Sequence, residues 1–84
     1  MFEFTTEQSS AIAMINIVDN TTVEITYRSN TNKAYTFATT ENIIQEIEDR
    51  ASEVMQNNKM YSMGQFIHEL VKEGELTQVE LATA

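Results

Sequence analysis

The chain has no cysteine, no proline and no tryptophan, and it holds only two glycines and one histidine. Without cysteine there is no disulfide, no thiol nucleophile and no thiolate metal site. The absence fits a reducing compartment, and the expected location is the cytoplasm. The lone histidine, His68, has no second histidine or cysteine to share a metal or a proton relay. Two isolated glycines are too few for a loop that cradles phosphate. Basic residues are scarce: five Lys and Arg stand against thirteen Asp and Glu, for a net charge of −8. Binding DNA or RNA takes clustered cations that displace counterions, so this balance argues against a nucleic-acid partner. Long apolar runs are missing too. The longest, Ala11 to Val18, is interrupted by Asn16 and falls far short of the ~20 residues that cross a membrane. No basic leader precedes it, so no secretory signal is expected.

What the chain does have is a change of period at Thr40. Before it, apolar residues alternate: Val23, Ile25 and Tyr27, then Tyr35 and Phe37. After it they recur every third or fourth position: Ile43, Ile44, Ile47, Ala51, Val54 and Met55. A period of two giving way to 3.6 means a small sheet followed by helices. The expected fold is α+β, a three- to four-stranded antiparallel meander with two C-terminal helices packed on one face. The 84 residues make a single domain. A core this small is worth on the order of 5 kcal/mol, and a partner subunit is a common supplement, so a homo-oligomer is expected.

Phe2-Glu3-Phe4 alternates as a short strand would, and Thr5 to Ser10 forms a polar linker or turn. Ala11 to Val18 reads as a strand apolar on both faces, with Ile12 and Met14 on one side and Ala13, Ile15 and Ile17 on the other. Asp19-Asn20 suits a tight hairpin, and Ser29 to Asn32 a second turn. Strands follow at Thr22 to Arg28 and Lys33 to Ala38. Thr39 or Thr40 caps the first helix, with Glu41 in its first turn. Asn57-Asn58 ends it. Ser62-Met63-Gly64-Gln65 has the spacing of a capping box for the second helix, whose apolar stripe is Met63, Phe66, Ile67, Leu70 and Val71. Gly74 is a left-handed stop against which Leu76 can pack. Residues 77–84 either frame a short strand through Val79 and Leu81 or fray. The remaining methionines, Met14, Met55 and Met60, read as core filler beside Met63.

Two amphipathic helices cover one sheet face. The other should carry Glu24, Thr26 and Arg28 beside Ala34, Thr36 and Ala38. That face suits a second subunit or a ligand, or is an ordinary solvated surface. Arg28 ends a strand there, close to Tyr27 and an Asn-rich turn. Arginine beside aromatic and amide groups suits a phosphate or nucleotide through bidentate bonds and stacking. The alternative is a surface pair with Glu24. Gly64 admits either an anion at a helix start or close helix–strand packing. Glu46, Asp49 and Glu53, and likewise Glu69 and Glu73, read as a solvated acidic face; no calcium-loop pattern accompanies them. Ser9, Ser10 and the threonines have no adjacent base, so nucleophilic catalysis is not expected. His68 flanks the second stripe in a structural or solvated role.

Ser10-Ala11-Ile12, Val23-Glu24-Ile25-Thr26-Tyr27, Ala34-Tyr35-Thr36-Phe37 and Ser62-Met63-Gly64-Gln65-Phe66-Ile67 together resemble the KTSC domain family, named for a segment at the C-terminus of some lysyl-tRNA synthetases. The resemblance spans roughly residues 10 to 76. It implies a three-stranded meander with helices and a Ser-x-Gly-x-Phe segment opening the last helix. Where that family has a Val-Pro step after its third strand, Ala38-Thr39-Thr40 stands here. Members occur alone in bacteria and phages, so a phage-encoded protein acting in host cytoplasm is expected. The layout is also similar in outline to small phage proteins that sequester nucleotide immune signals.

The resulting expectation is a non-enzymatic, homo-oligomeric binding protein without cofactor or metal. It would capture a small anionic or nucleotide-like ligand where subunits meet, through Arg28, Tyr27, Lys33, Tyr35 and Tyr61. The rival expectation is an acidic adaptor or inhibitor docking on a basic host protein.

Overall fold

The computed structural model describes residues 1–57 and 63–79. Five strands and two helices follow one another: β1 (Phe2–Glu3), β2 (Ile12–Asp19), β3 (Thr22–Tyr27), β4 (Ala34–Ala38), α1 (Glu41–Asn57), α2 (Met63–Lys72) and β5 (Thr77–Gln78). The strands form one antiparallel sheet in sequence order. The meander predicted from alternation is its middle. Phe2–Glu3 adds one edge, and the chain leaving α2 returns beside β4 to add the other.

One prediction about β2 needs correcting. The register steps from Ile12 opposite Tyr27 to Met14 opposite Thr26, so Ala13 is an extra residue. Such a bulge shifts side-chain parity by one. Ile12 and Ile15 therefore share the core face, both fully buried, while Met14 faces the other way beside Thr26. A second shift between Ile17 and Asp19 leaves Val18 exposed next to the hairpin. The strand that reads as two-sided is a one-sided strand with a bulge near each end.

Thr40 caps α1: its carbonyl accepts from the amide of Ile44 and its hydroxyl from that of Ile43. Thr39 instead ties the layers together. Its amide donates to the Thr21 carbonyl and its hydroxyl to the Glu75 carbonyl at 2.7 Å. The exit of α2 closes as expected. Gly74 has φ +79°, the Glu75 amide bonds the Leu70 carbonyl, and the Gly74 amide bonds the Val71 carbonyl. These are the two bonds of a Schellman motif, and Leu76 folds back buried. Asn58, Met60, Ser62 and Leu81, given roles above, lie outside the described residues, as does Tyr61.

The core lies between the helices and one sheet face. Ile43, Ile44, Ile47, Ala51 and Val54 of α1 and Met63, Ile67 and Leu70 of α2 meet Ile12, Ile15, Val23, Ile25 and Phe37. Met55 does not join them. It is substantially exposed, because the apolar stripe of α1 turns away from the sheet at its edge. The two helices touch through Arg50, whose guanidinium stands 4.6 Å from the centre of the Phe66 ring. Among the described residues, no helix is long and apolar enough to cross a membrane.

Candidate ligand-binding site

The helix-covered face is not filled evenly. Register places Phe2, Ile15, Ile25 and Tyr35 in one row across the sheet, and Ile17, Val23, Phe37 and Gln78 in the next. Ile12 and Tyr27 form a third. The aliphatic members on β2 and β3 pack against helix side chains. The members on β4 and β5, with Tyr27, border a cavity of about 440 Å³. Tyr27, Tyr35, Phe37 and Gln78 line its sheet side, and Met63, Gly64, Gln65, His68 and Val71 of α2 line the opposite side. Ser9, Ser10 and Ala11, just before β2, complete the described wall.

Gly64 sets how closely α2 approaches that wall. A Cβ there would lie 2.6 Å from the Cβ of Ala11, nearer than two carbons can come. The glycine is thus needed for close packing of helix on strand, the second of its two sequence readings.

The two tyrosines meet edge to face, with ring centres 5.6 Å apart and planes at 68°. Lys33 holds its ammonium 5.0 Å from the centre of the Tyr35 ring. Among the described residues no hydrogen bond reaches either phenol. Burial raises the pKa of Tyr27 above its ordinary value, with the neighbouring Tyr35 adding to the effect. The Tyr27 phenol therefore keeps its proton throughout the neutral range.

Arg28 has a different setting. Its Nη2 donates to the carbonyls of Phe4 and Ser9 at 2.9 Å each and of Ile12 at 3.2 Å. Its amide donates to the Ala11 carbonyl, continuing the β2–β3 ladder. The side chain clasps the segment between β1 and β2 rather than standing open beside Tyr27. That segment is an ordered turn, not a loose linker. Thr5 and Gln8 exchange side-chain and backbone bonds reciprocally, and Ser9 Oγ accepts from the Ile12 amide. The Nε of Arg28 is buried with no hydrogen-bond partner among the described residues. Glu24, the surface partner considered for Arg28, accepts instead from Asn16 Nδ2.

Of the five residues expected to bind ligand, the structure brings Tyr27 and Tyr35 to one cavity, and Lys33 over the ring of Tyr35. Arg28 is not among the described lining residues. His68, Gln65 and Gln78 line the cavity and were not singled out as binding groups. The signal available for the first two was their spacing of three on α2, beside the apolar stripe. Gln78 enters only through the pairing of β5 with β4.

The uncovered face carries Glu24, Thr26, Thr36, Ala34 and Ala38 as expected, with Asn16 and Met14. Thr26 is buried, Ala34 and Ala38 are exposed, and the Asn16–Glu24 bond crosses it. The acids of α1 form an exposed cluster of Glu46, Asp49 and Glu53 around Arg50 and Phe66. Among the described residues no group of three His, Cys, Asp or Glu side chains is placed to hold a metal.

Comparison with known proteins finds no matching family model, no matching curated protein and no matching solved structure.

Proposed function

We propose that this protein is a non-catalytic binding protein that takes a small ligand into the cavity between α2 and the β3–β4–β5 part of the sheet. The observation that carries this reading is the cavity itself. At about 440 Å³ it falls within the range of small-molecule sites, and it combines aromatic walls with a few polar groups. The reading is of binding rather than turnover because the sequence sets no base beside Ser9, Ser10 or the threonines. The site lies within one chain, so it does not require the subunit interface expected for it. A KTSC-like, phage-encoded, homo-oligomeric protein remains part of the proposal, with pairing through the uncovered face, where Ala34 and Ala38 are exposed.

The test is thermal melting against a panel of metabolites that includes nucleotides and cyclic dinucleotides. A ligand at about 100 times its Kd stabilises the native state by about 2.7 kcal/mol. Val71 is exposed at the cavity, so Val71→Trp should block entry without disturbing the core. The expected outcome is a ligand-dependent rise in Tm that this variant loses. A rise that survives Val71→Trp places the ligand elsewhere.

A second reading has its own observation, the acidic cluster on α1. An acidic surface of this kind suits a basic protein partner. Such docking weakens steeply with ionic strength, whereas filling an uncharged cavity does not.

A further inference from the structure

We propose that the part of the ligand held in the cavity is an uncharged planar heterocycle with hydrogen-bonding edges, and that any charged group on the ligand stays outside. This inference rests on the cavity being the binding site. Its main support is the character of the lining. In a chain with 21% charged residues, no Asp, Glu, Lys or Arg is among the described residues that line this cavity. From these described residues a phosphate or carboxylate taken inside would gain no counter-charge for the water it loses. Two cations adjoin lining residues, and both are engaged: Arg28 Nη2 donates to the Ser9 carbonyl at 2.9 Å, and Lys33 lies 5.0 Å from the centre of the Tyr35 ring.

The polar groups that are present point the same way. Gln65 and Gln78 bring amides, and His68 an imidazole; each both donates and accepts. A heterocycle presents donors and acceptors side by side along its edge, and mixed groups match it. An anion only accepts. A purely aliphatic ligand would use none of these exposed groups. The aromatic wall supplies the remaining contact. Tyr27 and Tyr35 both line the cavity with their planes at 68°, so a flat ring has two aromatic orientations to pack against. Flat base-like rings stack favourably on aromatic side chains.

The experiment is a titration of the isotope-labelled full chain, followed through its backbone amide NMR signals. Four kinds of probe are used: neutral nucleosides and free heterocycles such as a pterin, the corresponding nucleoside 5′-monophosphates, inorganic phosphate, and decanoate. The neutral rings should shift the amides of residues 9–11, 63–65 and 78. Adding a 5′-phosphate should change Kd by less than about threefold. His68 is exposed, so His68→Ala should fold normally and weaken ring binding about three- to tenfold. Tyr27→Phe keeps the stack and should bind within about threefold of the parent, while Tyr27→Leu should lose more than tenfold. Monophosphates that bind over tenfold more tightly than their nucleosides, or decanoate alone shifting those amides, would overturn the heterocycle and leave the cavity as the site. If no probe of any kind shifts them, the cavity reading fails with it.

Discussion

The same face of the same sheet is finished in two ways. On β2 and β3 its side chains are Ile12, Ile15, Val23 and Ile25, all fully buried against helix residues such as Ile47, Val54 and Ile67. Further along the same cross-strand rows stand Tyr27, Tyr35 and, beyond Phe37, Gln78, bordering a cavity. The pattern of alternation is continuous across both regions. The side-chain chemistry changes, and so does the way α2 meets it. Close approach at Gly64 and Ala11 brings the start of the helix down beside β2, and the space over β4 is left unfilled. The packed flank supplies stability. The open flank holds polar and aromatic groups that a tight core would exclude, because each would have to find an internal partner.

The comparison is broken most severely by releasing the segment that walls one side of the cavity. Arg28→Ala removes a charged nitrogen whose two protons are shared among the carbonyls of Phe4, Ser9 and Ile12. Bonds of this type contribute about 1.5–3 kcal/mol each at most, and water would replace part of them, so a net loss of about 3 kcal/mol is expected. That is a large part of the stability of a domain this size. Chemical denaturation reads the loss. Arg28→Lys should recover little of it, because a single ammonium cannot reproduce the guanidinium's geometry. The ligand-capture role expected of Arg28 makes the opposite prediction: unchanged stability and lost binding.

Gly64→Ala is the next largest effect and acts on the boundary between the two regions. The added methyl group needs room that Ala11 occupies, and overpacking of this kind costs about 1–3 kcal/mol. The start of α2 should tilt outward, changing the cavity as well as the stability. Ala11→Gly in the same chain removes the opposing carbon and should restore most of the loss. A double-mutant cycle measures the coupling, and additive losses would show that the contact at Gly64 is not what places the helix.

Much of the packed flank is legible in the sequence, and most of the open one is not. Val23, Ile25 and Phe37 show their face by alternation, and Ile43, Ile44, Ile47 and Ile67 by helical spacing, because burial and period are linked. Thr40 and Gly74 mark helix ends through local backbone chemistry. The bulge at Ala13 is hidden, since a strand with apolar residues on both parities fits either register until tertiary packing chooses one. Arg28 misleads for a related reason. Its partners are carbonyls, which every residue has, so no residue type announces them. Gln65 reads as a capping-box residue, and His68 and Gln78 look like ordinary solvated positions. Only the docking of α2 and the pairing of β5 gather them around Tyr27 and Tyr35.

The smallest effect probes the hairpin that closes the packed flank. Asp19 Oδ1 accepts from the amide and the hydroxyl of Thr21, and its pKa lies below the ordinary 3.8, chiefly because of the Thr21 backbone bond. A carboxyl whose folded pKa is depressed stabilises the fold above its unfolded value and loses that contribution as pH falls through the folded one. Asp19→Asn keeps an acceptor for Thr21 and removes the charge. At neutral pH the variant should melt slightly below the parent, and the gap should close as pH drops below 3.8. Removing a negative charge from an acidic chain also relieves repulsion, so Glu7→Gln, at an exposed position in the turn before β2, is the proper reference. A gap between Asp19→Asn and that reference which stays constant from neutral to acid pH would mean that the charge on Asp19 contributes nothing to the turn.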